Sequence, residues 1–230
     1  MNEQTLEFVC PHCGKEDALT YSYSLHAQKD PERYSKLLSG TLFDYVCPEC
    51  GNRIHLTYGL LFHDPAHKAM CFYVPDEKEV PGIIDSIRAA HNTEGGDSLG
   101  NYAVRIVTED HKLTEKALIW SLGLDDKAVE MWKLTYLYHI IAHNEDFEAD
   151  DSVMRVENGA YKIDFYRENE YLGTVEADPS LISNVKDRFL SRDTGVIEND
   201  LFVDTAWAMD HLTNLLHRPE SSEPEDAPNQ

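Results

Sequence analysis

Cys10-Pro11-His12-Cys13-Gly14 and Cys47-Pro48-Glu49-Cys50-Gly51 repeat one five-residue pattern, C-P-x-C-G. Four thiolates from two such pairs satisfy a tetrahedral zinc ion. The predicted metal ligands are therefore Cys10, Cys13, Cys47 and Cys50, and the predicted cofactor is zinc. Protein fills all four positions, so none stays open for water or substrate, which points to a structural ion rather than a catalytic one. Iron in a rubredoxin-like site uses the same ligand set and remains the alternative. A glycine after each second cysteine lets the chain turn at positive φ. That turn brings backbone amides to the sulfurs, where their hydrogen bonds steady the thiolates. His12 sits inside the first pair, but Cys13 already closes that pair, so the imidazole is expected to point outward.

A second, weaker constellation is His139, His143 and Asp146. Spacings of four and three place them on one helix face. Two histidines one turn apart can bind a metal, but Ile140-Ile141-Ala142 lacks the glutamate of an H-E-x-x-H enzyme. The competing reading is a polar stripe near a helix C-terminus, where the dipole favours histidine. Cys71 has no local basic neighbour and reads as a buried apolar thiol. His63 and His67 bracket Asp64-Pro65 and read as turn histidines. The acidic run Glu145–Asp151 lacks the ligand spacing of a calcium loop and reads as a solvated linker. No nucleophile elbow and no dinucleotide fingerprint occurs.

The chain has 230 residues and a net charge of −22. Residues 1–75 contribute 6 basic and 9 acidic side chains, 76–144 contribute 7 and 12, and 145–230 contribute 7 and 21. No long Lys/Arg cluster exists to meet a phosphate backbone, so nucleic acid is not the expected partner. No apolar run approaches the length of a membrane span. The start of the chain has neither the charge nor the apolar core of a signal peptide. A cytoplasmic location is the expectation, and in that compartment paired cysteines hold metal rather than disulfides.

These ligands need elements to hold them. Residues 5–9 and 42–46 read as strands entering the two cysteine turns. Leu19, Tyr21, Tyr23 and Leu25 alternate with polar residues, as do Ile54, Leu56, Tyr58, Leu60 and Phe62, so 18–26 and 54–62 read as strands. Asp30-Pro31-Glu32 starts a short helix that stops at Gly40. The N-terminal unit, residues 1–75, is thus a zinc ribbon with an inserted strand and helix. Residues 76–144 form a helical middle, with helices over 76–92, 112–122 and 126–143. Between the first two lie a flexible loop at 93–100 and a strand-like run at 102–107. The helix over 126–143 is apolar nearly all round, which suits the centre of the fold or contact with a second copy of the chain. Residues 145–217 form an acidic C-terminal unit. It has a hairpin turning at Asn158-Gly159, a third strand near 171–175, and helices over 178–190 and 200–217. Residues 218–230 read as a disordered tail. The fold class is α+β.

The paired C-P-x-C-G turns, the run Leu60-Leu61-Phe62-His63-Asp64-Pro65 and the later Tyr73-Val74-Pro75 resemble the CpXC family of bacterial and archaeal proteins. The resemblance continues through Arg105-Ile106-Val107 and Leu122-Gly123-Leu124-Asp125-Asp126, covering about the first 140 residues. It implies that Cys10, Cys13, Cys47 and Cys50 are that family's metal ligands. The family's function is uncharacterised, so the resemblance names no activity. The leading expectation is a structural-zinc protein that binds an unknown protein partner or regulates one. The alternatives are a nucleic-acid-binding, transcription-related ribbon and a metal-dependent enzyme using His139, His143 and Asp146.

Overall fold

The computed structural model describes residues 3–91, 101–190 and 200–217. The loop read at 93–100 and the tail read at 218–230 lie outside them. The chain is α+β. Strands β1 (Glu3–Val9) and β2 (Glu16–Ser22) form one antiparallel hairpin, and β4 (Asp44–Val46) and β5 (Arg53–His55) form another. Between them lie β3 (Ser24–His26) and α1 (Pro31–Leu38), whose N-cap Asp30 accepts from the Arg33 amide.

β3 belongs to a different sheet. With β6 (Leu60–Asp64), β7 (Ala69–Tyr73) and β8 (Ala103–Val107) it makes a mixed four-stranded sheet in the order β3-β6-β7-β8. The β3–β6 and β7–β8 pairs are parallel and β6–β7 is antiparallel. Both long alternating runs of the sequence are therefore divided. Run 18–26 leaves the first hairpin at Tyr23, and run 54–62 leaves the second hairpin after His55. The alternation is unbroken because Leu56, Tyr58, Leu60 and Phe62 all face one core. What changes along each run is the hydrogen-bonding partner, which side-chain periodicity does not record.

The sheet is covered on both sides. Leu60, Phe62, Cys71, Tyr73 and Val107 face the main core with α3 (Asp110–Ser121) and α4 (Asp126–His143). Trp120 of α3 stacks on Phe62 with ring centroids 6.2 Å apart. Val104 and Ile106 face the other way, with Ile87 of α2 (Val80–His91) and Leu201. Leu201 belongs to an irregular stretch, since the last helix, α6, runs only Thr205–Leu216, with Asp204 as its N-cap. The expected start at 200 fails because the Leu201 carbonyl accepts from the Ile106 amide, extending the β8 edge instead.

The C-terminal strands β9 (Asp151–Glu157), β10 (Ala160–Arg167) and β11 (Glu170–Ala177) form an antiparallel meander, followed by α5 (Leu181–Phe189). Asn158 and Gly159 both take positive φ, 54° and 82°, as a tight primed hairpin turn requires. The Glu168-Asn169 turn does the same without a glycine, at φ 48° and 67°. The acidic stretch before the meander keeps Glu145, Asp146, Glu148 and Asp150 exposed to solvent, but it is anchored at two points. Phe147 packs edge-on against Phe165 at 5.9 Å, and Asp150 accepts from the Glu168 amide.

α3 and α4 meet through charges as well as apolar side chains. Lys133 Nζ lies 2.7 Å from Glu115 and 2.9 Å from Glu130, and Lys116 Nζ lies 3.2 Å from Asp126 and 3.3 Å from Glu130. Arg105 of β8 reaches Asp126 at 2.6 Å. All six side chains are buried. α4 is thus not apolar all round: Asp126, Glu130 and Lys133 share its inner face. α4 is covered by this chain's own α3, α5 and α6, while Tyr138 and His139 near its end stay exposed.

Candidate metal centre

Each cysteine pair occupies the tip of a hairpin. In the first, Val9 pairs with Glu16; in the second, Val46 pairs with Arg53. The two tips share one hydrogen-bond pattern. The Cys10 amide donates to the Lys15 carbonyl at 2.8 Å and the Gly14 amide to the Cys10 carbonyl at 2.9 Å. The Cys47 amide donates to Asn52 at 2.9 Å and the Gly51 amide to Cys47 at 2.8 Å. Gly14 and Gly51 close these turns at φ 73° and 71°, a region that other residues enter only with strain. Cys10 and Cys47 are buried, whereas Cys13 and Cys50 are exposed.

The hairpins face one another so that Cys10 Sγ lies 3.8 Å from Cys50 Sγ and Cys13 Sγ 3.8 Å from Cys47 Sγ. All four sulfurs lie within 4.8 Å of one another. A tetrahedron with metal–sulfur bonds of about 2.3 Å has edges of about 3.8 Å. The spacing therefore fits a four-thiolate metal site and is far too long for disulfides, whose bond is about 2.05 Å. Asn52 acts directly on one of the four thiols. Its backbone amide, and then its side-chain amide 3.4 Å from Sγ, draw the Cys50 thiol down to about 6. The Lys15 amide likewise favours the Cys13 thiolate. Partial desolvation and hydrogen bonding among the crowded sulfurs outweigh it and push that thiol up to about 12. Four thiolates this close repel unless a cation sits between them, so metal binding and deprotonation are one event.

The inserted segment explains why a long gap between the pairs is tolerated. The chain from Cys13 to Cys47 places β3 in the central sheet and packs α1 on α3. Phe8 and Tyr45, on the two hairpins, meet edge to face at 5.0 Å, and Tyr45 donates to Asp17 at 2.6 Å. The second hairpin is also tied to the core by the Leu56 amide, which donates to Phe43. His12 is exposed, as expected of a residue outside the ligand set.

Family comparison agrees with this geometry. The family described as CpXC protein matches residues 6–133, which is 128 of 230 residues and includes all four cysteines. The chain belongs to the CpXC family. No curated protein and no solved structure matches it. The family segment ends within α4, so the meander, α5 and α6 lie beyond it.

His139 and His143 lie side by side on α4 with ring centroids 4.5 Å apart, but His143 Nδ1 bonds the His139 carbonyl of its own helix. Asp146 falls beyond the end of α4, and the three groups do not bring their ligand atoms within 4.8 Å of one another. His63 is in β6 rather than the turn, 3.4 Å from the Tyr102 hydroxyl, and His67 Nδ1 is 2.7 Å from buried Asp64. Cys71 is wholly buried, and burial pushes its thiol up to about 12. Among the described residues one further set gathers ligand atoms: Glu109, His111 and Asp151. Sequence reading missed it because 40 residues separate His111 from Asp151, and Glu109-Asp110-His111 looks like an ordinary acidic helix start.

Proposed function

We propose that this chain is a zinc-binding protein whose four-cysteine ion is structural and whose ribbon docks another protein. The closed four-thiolate set carries this reading: a metal with four protein ligands holds two hairpins together and offers substrate no position. Zinc is the natural occupant, being redox-inert and content with a thiolate tetrahedron. Its binding energy would become folding energy for two small hairpins that have little core of their own.

Two further features favour a protein partner. Val9 and Val46, each directly before the first cysteine of its pair, are both 58% exposed. These are the exposed apolar side chains that a protein docked on the two tips would cover. The first hairpin also carries Glu3, Glu7, Glu16 and Asp17 against one lysine, Lys15, a charge balance that repels phosphate backbones.

The test has two arms. Metal analysis by mass spectrometry should find zinc at one equivalent or more per chain. Cys47→Ser should lose one equivalent together with the hydrogen-exchange protection of both hairpins; a variant that retains both removes the structural ion. Affinity capture from native lysate should recover a protein with wild type that the Val9→Asp/Val46→Asp variant does not recover. Identical capture by both removes the ribbon tip as the docking face.

A further inference from the structure

Glu109, His111 and Asp151 gather at the mouth of a cleft of about 570 Å³, lined also by His55, Tyr73 and Asn169. Three parts of the fold meet there: the end of the second ribbon hairpin, the N-terminus of α3, and the start of the meander with its Glu168-Asn169 turn.

The donor atoms are already close. His111 Nε2 lies 3.2 Å from Glu109 Oε2 and 3.9 Å from Asp151 Oδ2. Ligand atoms about 2.1 Å from a common cation sit roughly 3.0–3.4 Å apart, so small rotations complete the set. Each side chain is presented by its surroundings rather than by chance exposure. Glu109 is the N-cap residue of α3 but makes no capping hydrogen bond, so its carboxylate is not committed to the helix backbone. Asp151 has its other oxygen, Oδ1, held by the largely buried ammonium of Lys112 and approached by Thr205 Oγ1 at 3.5 Å. That leaves Oδ2 toward His111. Such outer contacts fix the orientation of ligating carboxylates in metal sites. The His111 ring lies beside Tyr166, with centroids 6.3 Å apart. His55 Nε2 lies 3.4 Å from Asp110 Oδ2, adding a second imidazole to the lining of the cleft.

We propose that Glu109, His111 and Asp151 form a second metal site, for a divalent first-row transition cation. One imidazole with two carboxylates suits manganese, iron, cobalt, nickel or zinc, not the soft, closed environment of the four cysteines. Three protein ligands leave positions open toward the cleft, where water or a small anionic ligand would complete the coordination. The His111 imidazolium bridging both carboxylates as an ordinary ion pair is the competing account, and it predicts no bound cation.

The test uses full-length protein carrying one zinc per chain, titrated with Co²⁺ by calorimetry and visible absorption. One Co²⁺ per chain should bind, with the weak visible bands of nitrogen and oxygen ligands and without the intense near-ultraviolet band of cobalt thiolate. That band separately reports any exchange at the cysteines. His111→Ala and Glu109→Gln, both at accessible positions and checked for fold by circular dichroism, should each weaken binding at least about tenfold. His143→Ala should leave it unchanged. Absence of Co²⁺ binding up to millimolar concentration, or binding that His111→Ala leaves intact, overturns the proposal.

Discussion

Replacing Lys133 by methionine tests what holds α3, α4 and β9 together. Lys133 is fully buried; it donates hydrogen bonds to Glu115 at 2.7 Å and to the Ser152 carbonyl at 2.8 Å, and it forms an ion pair with Glu130 at 2.9 Å. Methionine has similar length and fills the space, so the change removes charge rather than volume. Glu115 and Glu130, both 1% exposed, would then share less positive charge. Removing one partner of a buried ion pair costs about 3–5 kcal/mol, because the remaining charge cannot be hydrated. Two observations favour the lower end here: Lys116 stays 3.3 Å from Glu130, and Glu115 keeps the Met154 amide as a donor. A loss of about 3 kcal/mol follows. With a urea slope of about 1–3 kcal/mol per molar, the unfolding midpoint should fall by roughly 1–3 M. Tryptophan fluorescence reads it, since Trp120 and Trp132 are buried beside the network. Glu130→Gln supplies the contrast. Burial raises the Glu130 carboxyl above the usual range even with Lys133 and Lys116 beside it, so its charge is held at a cost. The neutral amide should change stability by less than about 1 kcal/mol. If Lys133→Met is as mild as that, or Glu130→Gln as severe as about 3 kcal/mol, the network does not work as described.

Acid should expose the same network from the other side. Burial alone would raise Asp126, but Lys116 and Arg105 hold its carboxyl well below the usual range; Asp151 is likewise held low, by His111 and Lys112 against its burial. Carboxyls depressed in the folded state stabilise it above the unfolded value of about 3.9, and that contribution is lost as pH falls below it. Helical circular dichroism should therefore begin to decline below about pH 4, and Asp126→Asn should shallow that decline while lowering stability at pH 7. A pH-independent signal from 5 to 2 contradicts this. Gly51→Ala tests the second cysteine turn by backbone alone, since an added Cβ meets nothing within 4 Å while φ is 71°. A cost of about 1–2 kcal/mol should weaken zinc binding roughly tenfold in chelator competition, and unchanged affinity would remove the argument for positive φ.

Much of this molecule is legible in its sequence, and the gaps have physical causes. The two cysteine pairs, the Asn158-Gly159 turn, the Asp30 cap of α1 and the Asp125 cap of α4, which accepts from the Lys127 and Ala128 amides, are local signals, written within a few residues of where they act. Sheet membership is not local. Tyr21 and Leu25 belong to one alternating run, yet they lie on strands that pair with β1 and β6 respectively. The buried charges were hidden for a different reason. Lys112, Glu115 and Lys116 on α3 and Asp126, Glu130 and Lys133 on α4 recur at helical spacing. Such stripes usually face water, and only the docking of the two helices turns these inward. The Glu109–His111–Asp151 set depends on that docking too, because β9 must lie against α3 to deliver Asp151.

Whether the two hairpin tips close on one metal through sulfur alone is open to direct measurement. X-ray absorption at the zinc edge, on protein brought to one metal per chain, measures this directly. Four sulfur scatterers near 2.3 Å are the predicted result. Nitrogen or oxygen neighbours near 2.0–2.1 Å, or fewer than four sulfurs, would contradict it.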